Sequence, residues 1–134
     1  MEGFEVALDM QPVQGVAIIG AGNMGSGIAQ KTAQEEFDVQ MVDREAQWVE
    51  RGQSIIADFL SEAVERRIFS PQQVEDIQSR ITGVIGTENT APDTDLVIEA
   101  VFEDFDIKTA VFNTLNEVCG DKTILASNTS SLSV

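Results

Sequence analysis

Two hydrophobic periods take turns along this chain. Short apolar runs and period-two alternations mark strands, and apolar residues three and four apart mark helices. Val16 to Ile19, "VAII", lies between Gly15 and Gly20 and reads as a buried strand. A helical pattern starts at Asn23, turns Met24, Ile28 and Ala29 toward one face, and ends near Glu36. "FDVQMVD", Phe37 to Asp43, alternates and reads as a second strand closing on an acid. "AQWVERGQSIIADFLSEAVERRIF" predicts a long helix through Trp48, Ile55, Ile56, Phe59, Leu60, Ala63 and Val64. Gly52 interrupts it, as expected of a close helix crossing.

"SPQQVEDIQSR" carries its own start signal: Ser70 as N-cap, Pro71 in the first turn, and Gln73 placed for a capping box. A short helix there turns back against the long one. "RITGVIG" predicts a strand, "TENTAPDT" is turn chemistry, and "DLVIEAVFE" is the most strand-like segment. "FDIKTAVFNTLNEVCG" has helical spacing through Ile107, Ala110, Val111, Leu115 and Val118, with Gly120 as a stop. "KTILASNTSSLSV" predicts a last strand running into a polar loop. Strands alternating with helices imply an α/β fold: a doubly wound, mostly parallel sheet with right-handed crossovers. Ligands bind such sheets at the carboxyl ends of the strands. Three loops fall there: Gly20 to Gly25, Asp43 onward, and Glu99 to Asp104.

Composition narrows the chemistry. The 134 residues carry 8 Lys+Arg against 23 Asp+Glu, a net charge of −15. That field repels nucleic acid and anionic lipid, so neither is an expected partner. Any bound anion must be held by local backbone dipoles. The single cysteine, Cys119, permits no internal disulfide and reads as a small apolar helix residue. There is no histidine, so no imidazole can act as base or metal ligand, and no metal site is expected. The acidic start "MEGFEVALDMQ" is unlike a signal peptide, and no apolar run approaches membrane-spanning length; a cytoplasmic, soluble protein is expected.

Gly20-Ala21-Gly22-Asn23-Met24-Gly25 is GxGxxG. Gly20 suits the tight turn out of the strand, Gly22 a close approach to pyrophosphate, and Gly25 close packing of helix on sheet. The motif follows a strand, opens a helix, and is followed by Asp43, 23 positions beyond Gly20. That is about the ~20 expected for the acid that holds a ribose 2′-hydroxyl. The set reads as a Rossmann-type dinucleotide site, with NAD favoured over NADP because a carboxylate repels a 2′-phosphate. Arg44 is the counter-signal, since an arginine beside the acid can accept a phosphate or stack on adenine.

"GAGNMGSGIAQ", "MVDRE", "DLVIEAVFEDFDIKTAVF" and above all "ILASNTSSLSV" resemble the NAD-binding domain of the L-3-hydroxyacyl-CoA dehydrogenases, nearly throughout Gly15 to Val134. The resemblance implies oxidation of the 3-hydroxyl of an L-3-hydroxyacyl-CoA, with hydride passed to NAD. It makes the insertion after Asp43 a helical arm lying near CoA. By position, Glu103 and Lys108 match the family's acid and lysine beside the cofactor's ribose and nicotinamide side. Ser130 matches the serine reaching the substrate oxygen and the nicotinamide end. Arg66 and Arg67 lie near the family's basic CoA-contacting position. From the residues alone, Glu103 and Lys108 equally fit an ion pair at a helix start, the "SNTSS" residues fit a turn, and the two arginines fit a solvated helix end.

The family's catalytic His–Glu pair, and the helical domain that closes over the acyl chain and forms the dimer, have no counterpart in this sequence. Residues 1–134 therefore read as one NAD-binding domain, with the catalytic and dimerisation domain absent. Two other readings stand beside this one: a stand-alone, non-catalytic NAD module, and the cofactor domain of another two-domain dehydrogenase acting on hydroxy acids or sugar acids. "SNTSS" and the arm weigh against the last.

Overall fold

The computed structural model describes residues 12–101 and 104–127. Five strands form one parallel sheet in the order β3-β2-β1-β4-β5. They are β1 (Gly15–Ile19), β2 (Asp38–Asp43), β3 (Ile81–Ile85), β4 (Leu96–Glu99) and β5 (Ile124–Ser127). Helix α1 (Asn23–Gln34) joins β1 to β2, and α2 (Ala46–Glu65) and α3 (Pro71–Ser79) join β2 to β3. A 3₁₀ turn (Thr87–Asn89) leads toward β4, and α4 (Phe105–Val118) joins β4 to β5.

The period-two alternation of the strands feeds two apolar layers. Val16 and Ile18 of β1, with Val39 and Met41 of β2, meet Ala29 and Ala33 of α1, Ile56 and Leu60 of α2, and Ile77 of α3. Ala17 and Ile19 face the other way, with Val42 and Val97, against Leu115 of α4. Both faces of the central strands are buried, which is why they read as near-continuous apolar runs.

The elements lie where the pattern puts them, with shorter ends. The long helix stops at Glu65, four residues before Phe69, because Arg67 turns left-handed at φ +60°. The Arg67 N–H reaches the Val64 carbonyl and the Ile68 N–H reaches that of Ala63, which completes a Schellman motif. The predicted face of α1 also shifts. Ala29 is buried and Ile28 packs against the core as expected, but Met24 is 63% exposed, and Gly25, Ser26, Gln30 and Ala33 are buried as well, because the helix must approach the sheet closely. The capping box of α3 forms as expected: the Gln73 N–H donates to Ser70 Oγ at 3.1 Å and the Ser70 N–H donates to Gln73 Oε1 at 2.8 Å.

Gly52 is a close contact of another kind from the expected helix crossing. A Cβ there would lie 2.7 Å from the Ala21 carbonyl oxygen and 2.9 Å from Met41 Cε. The second turn of α2 is thus seated on the loop after β1. No helix among the described residues is long and apolar enough to cross a membrane.

Candidate functional site

The connections from β1 run toward β3 and those from β4 toward β5, so the winding reverses between β1 and β4. A crevice opens there at the carboxyl ends. Gly20 leaves β1 at φ +116°, its N–H donating to the Val42 carbonyl at 2.7 Å. A Cβ on Gly20 would meet the Ala100 carbonyl oxygen at 2.7 Å, and one on Gly25 would overlap the Gly20 carbonyl oxygen. At Gly22 a Cβ would meet nothing within 4 Å. The first and third glycines are required by the protein's own packing; the second leaves open space at the start of α1.

Helix α1 begins at this open glycine, without a side-chain cap and without an acid in its first turn. By contrast, α3 is capped by Ser70 and α4 by Asp104, whose carboxylate accepts from the Ile107 N–H at 3.1 Å. The start of α1 therefore keeps backbone donors and a positive dipole end beside empty space, the conditions for a phosphate. Ala21 is buried under the arm, while Gly22, Asn23 and Met24 are exposed around that space.

Asp43 closes the crevice on the β2 side. Its Oδ2 accepts from the Ala21 N–H at 2.9 Å, and its Oδ1 from the Arg44 N–H at 2.7 Å. A carboxylate has about four acceptor sites, so these two bonds leave capacity for ribose hydroxyls. A pyrophosphate over Gly22 and a ribose at Asp43 both fit the residues present.

Lys108, named in the sequence with Glu103, is paired in the structure with a different acid that the sequence did not single out. Lys108 is only 4% exposed, although it lies in the first turn of α4. Its Nζ stands 3.6 Å from Oε1 of Glu99, a fully buried acid at the end of β4. Glu99 Oε1 also accepts from Ser127 Oγ at 2.7 Å, and Oε2 from the Val101 N–H at 2.8 Å. An acid inside the most apolar strand was the available signal, because a buried carboxylate needs partners. Glu103 and Ser130 lie outside the described residues.

Arg66 and Arg67 are not gathered into this crevice. They follow the C-terminal end of α2, roughly 20 Å along the helix axis from the Gly52 contact. Arg66 Nη2 pairs with Glu62 Oε1 at 2.6 Å, with both side chains more than half exposed. An apolar groove of about 480 Å³ runs between α1 and α2, past Gln30, Ile55, Phe59 and Ile68, and includes neither Gly22 nor Asp43. It meets the crevice only at Asn23, the first residue of α1.

The sequence profile of the "3-hydroxyacyl-CoA dehydrogenase, NAD binding domain" matches residues 15–134. The chain belongs to that family, as its NAD-binding domain. A probable 3-hydroxybutyryl-CoA dehydrogenase of Bacillus subtilis is 38% identical over 122 residues, covering 91% of this chain and 42% of that protein. The crystal structure of (S)-3-hydroxybutyryl-CoA dehydrogenase from Ralstonia eutropha superposes with a TM-score of 0.84 at 33% identity, covering 89% of this chain and 42% of that one. The 3-hydroxybutyryl-CoA dehydrogenase structure from Escherichia coli gives 0.84 at 37% identity, covering 90% and 25%. This dehydrogenase domain thus spans less than half the length of these relatives. Its cofactor is NAD, in agreement with the glycine loop and Asp43.

Proposed function

We propose that this domain is the cofactor half of an enzyme that interconverts L-3-hydroxyacyl-CoA and 3-ketoacyl-CoA, in fatty-acid β-oxidation or 3-hydroxybutyryl-CoA metabolism. The observation that carries the cofactor half is the open space over Gly22, bordered by the Asp43 carboxylate and the uncapped start of α1. The names of the relatives support the substrate class: the three above carry the name 3-hydroxybutyryl-CoA dehydrogenase, one of them as probable, and a rice relative at 34% identity is a peroxisomal fatty acid beta-oxidation multifunctional protein. A cytoplasmic location is part of the same proposal.

Bound NAD supplies the hydride acceptor for carbon 3. The chain's own contribution is binding and orientation. The first-turn amides of α1 hold the pyrophosphate, Asp43 holds the adenine ribose, and Glu103, Lys108 and Ser130 line the nicotinamide side. Ser130 also reaches the substrate oxygen, and Arg66 and Arg67 on the arm meet CoA phosphates. Oxidation also requires the hydroxyl proton to leave, and the chain contains no histidine to take it. A second domain provides that base, the acyl pocket and the homodimer contact.

The test is reduction of acetoacetyl-CoA by NADH, followed by absorbance. The chain alone is expected to bind NADH with negligible turnover, because loss of general-base help costs ~10²–10⁴ in rate before the missing pocket is counted. Activity is expected on adding a separately expressed histidine-bearing domain. Turnover by the chain alone near that of a full-length dehydrogenase would overturn the proposal.

A further inference from the structure

Lys108 is the one buried cation among the described residues, and its position opposes it twice. Burial penalises the ammonium, and the first turn of a helix presents a positive dipole end to it. Such a lysine persists where a specific partner compensates it, and Glu99 is that partner at 3.6 Å. Three chain segments meet on this one carboxylate: the exit of β4 through the Val101 N–H, the end of β5 through Ser127 Oγ, and α4 through Lys108. Glu99 is paired in register with Ile19 of β1, the residue before Gly20, so the cluster adjoins the crevice. Ser127 ends β5, and in register it stands beside Glu99.

We propose that Glu99 is a positioning residue of the cofactor site, whose buried carboxylate holds the Lys108 ammonium and the Ser127 hydroxyl at the junction of β4, β5 and α4. This rests on the reading of Lys108 as a cofactor-side residue. Glu99 touches no cofactor itself. It fixes the direction of the Lys108 ammonium, and ties Ser127 at the end of β5 to the same point.

NADH affinity, read by fluorescence titration of the full chain, tests this through Glu99→Gln and Glu99→Asp in the wild-type and Lys108→Met backgrounds. Melting temperatures monitor folding. Lys108→Met and Glu99→Gln are each expected to weaken NADH binding by about tenfold. Glu99→Asp should recover most of the loss, and Glu99→Gln added to Lys108→Met should cost less than about twofold more. Equal losses in both backgrounds would overturn the proposal, since Glu99 would then act without Lys108. Lys108→Met weakening binding while Glu99→Gln does not would overturn it alone. An unchanged affinity in Lys108→Met would instead remove the reading on which it rests. If Glu99→Gln does not fold, Ser127→Ala keeps both charges and serves in its place: a several-fold loss in wild type that disappears beside Lys108→Met is expected, and no loss in wild type overturns the proposal.

Discussion

The Asp43 carboxylate accepts a hydrogen bond from the Ala21 N–H at 2.9 Å, so the acid proposed to hold the adenine ribose also braces the glycine loop. The end of β2 and the turn after β1 are 22 residues apart in sequence and act as one unit. Removing the carboxylate therefore loses a ribose acceptor and a loop contact together. Asp43→Ala is expected to weaken NADH by on the order of tenfold or more, as a charge-assisted hydrogen bond is worth about 1.5–3 kcal/mol. It should also narrow the preference for NADH over NADPH. Calorimetry with both cofactors on wild type and variant measures this, and equal wild-type affinity for the two would refute the role of Asp43.

The glycines separate folding from binding. Gly22→Val places its side chain in open space, so circular dichroism should report a folded protein that no longer binds NADH. Gly25→Ala drives a methyl group into the Gly20 carbonyl and should cost about 3 kcal/mol or more in denaturant unfolding. Normal NADH binding by folded Gly22→Val would reduce the loop to a simple turn.

Asp95 predicts an acid-side signature. Its pKa is lowered from the ordinary 3.8 because it accepts from the Gly15 N–H at 2.9 Å and the Gln14 N–H at 3.0 Å, which outweighs slight desolvation. With the folded pKa below the unfolded one, the carboxylate adds stability above pH 3.8, and this is lost as pH falls through the folded value. Asp95→Asn should therefore melt below wild type at neutral pH, with the gap closing as the pH falls below 3.8 and through the lowered folded value. A gap that stays constant down that series would show that the charge plays no part.

Arg67 holds φ +60° at the end of the arm, where an L-residue is strained. Arg67→Gly should relieve about 1 kcal/mol and raise the melting temperature by about 4 °C, while the loop keeps its shape. Under the proposed role on the arm, the same variant should bind acyl-CoA less tightly. Stabilisation with unchanged acyl-CoA affinity would remove Arg67 from that site.

The periodicities were enough to name every described strand and helix, because burial on a parallel sheet demands apolar runs and burial of one helix face demands apolar residues three and four apart. The glycine loop and Asp43 were legible for a related reason. Both are local signals, a strand–turn–helix motif and an acid closing the next strand, and neither depends on a distant partner. Helix ends were less legible. The first helix ends within two residues of the Glu36 expected, but Arg67 takes a left-handed position at φ +60° that glycine usually marks, so the end of α2 carries no stop signal in its sequence.

The chain by itself therefore determined the α/β order, the GxGxxG turn between β1 and α1, the acid that closes β2, and the absence of any histidine from these 134 residues. Only the tertiary structure decided that α1 buries Ser26 and Gln30 while Met24 faces solvent, that Gly52 seats the arm on Ala21, and that Lys108 is buried on Glu99. Glu99 and Lys108 come together because β4 and α4 fold back on each other at the sheet's carboxyl edge. Hydrophobic spacing records which residues turn inward; which polar groups then meet there is a matter of three-dimensional neighbours, and a buried charge is tolerable only once its neighbour is in place.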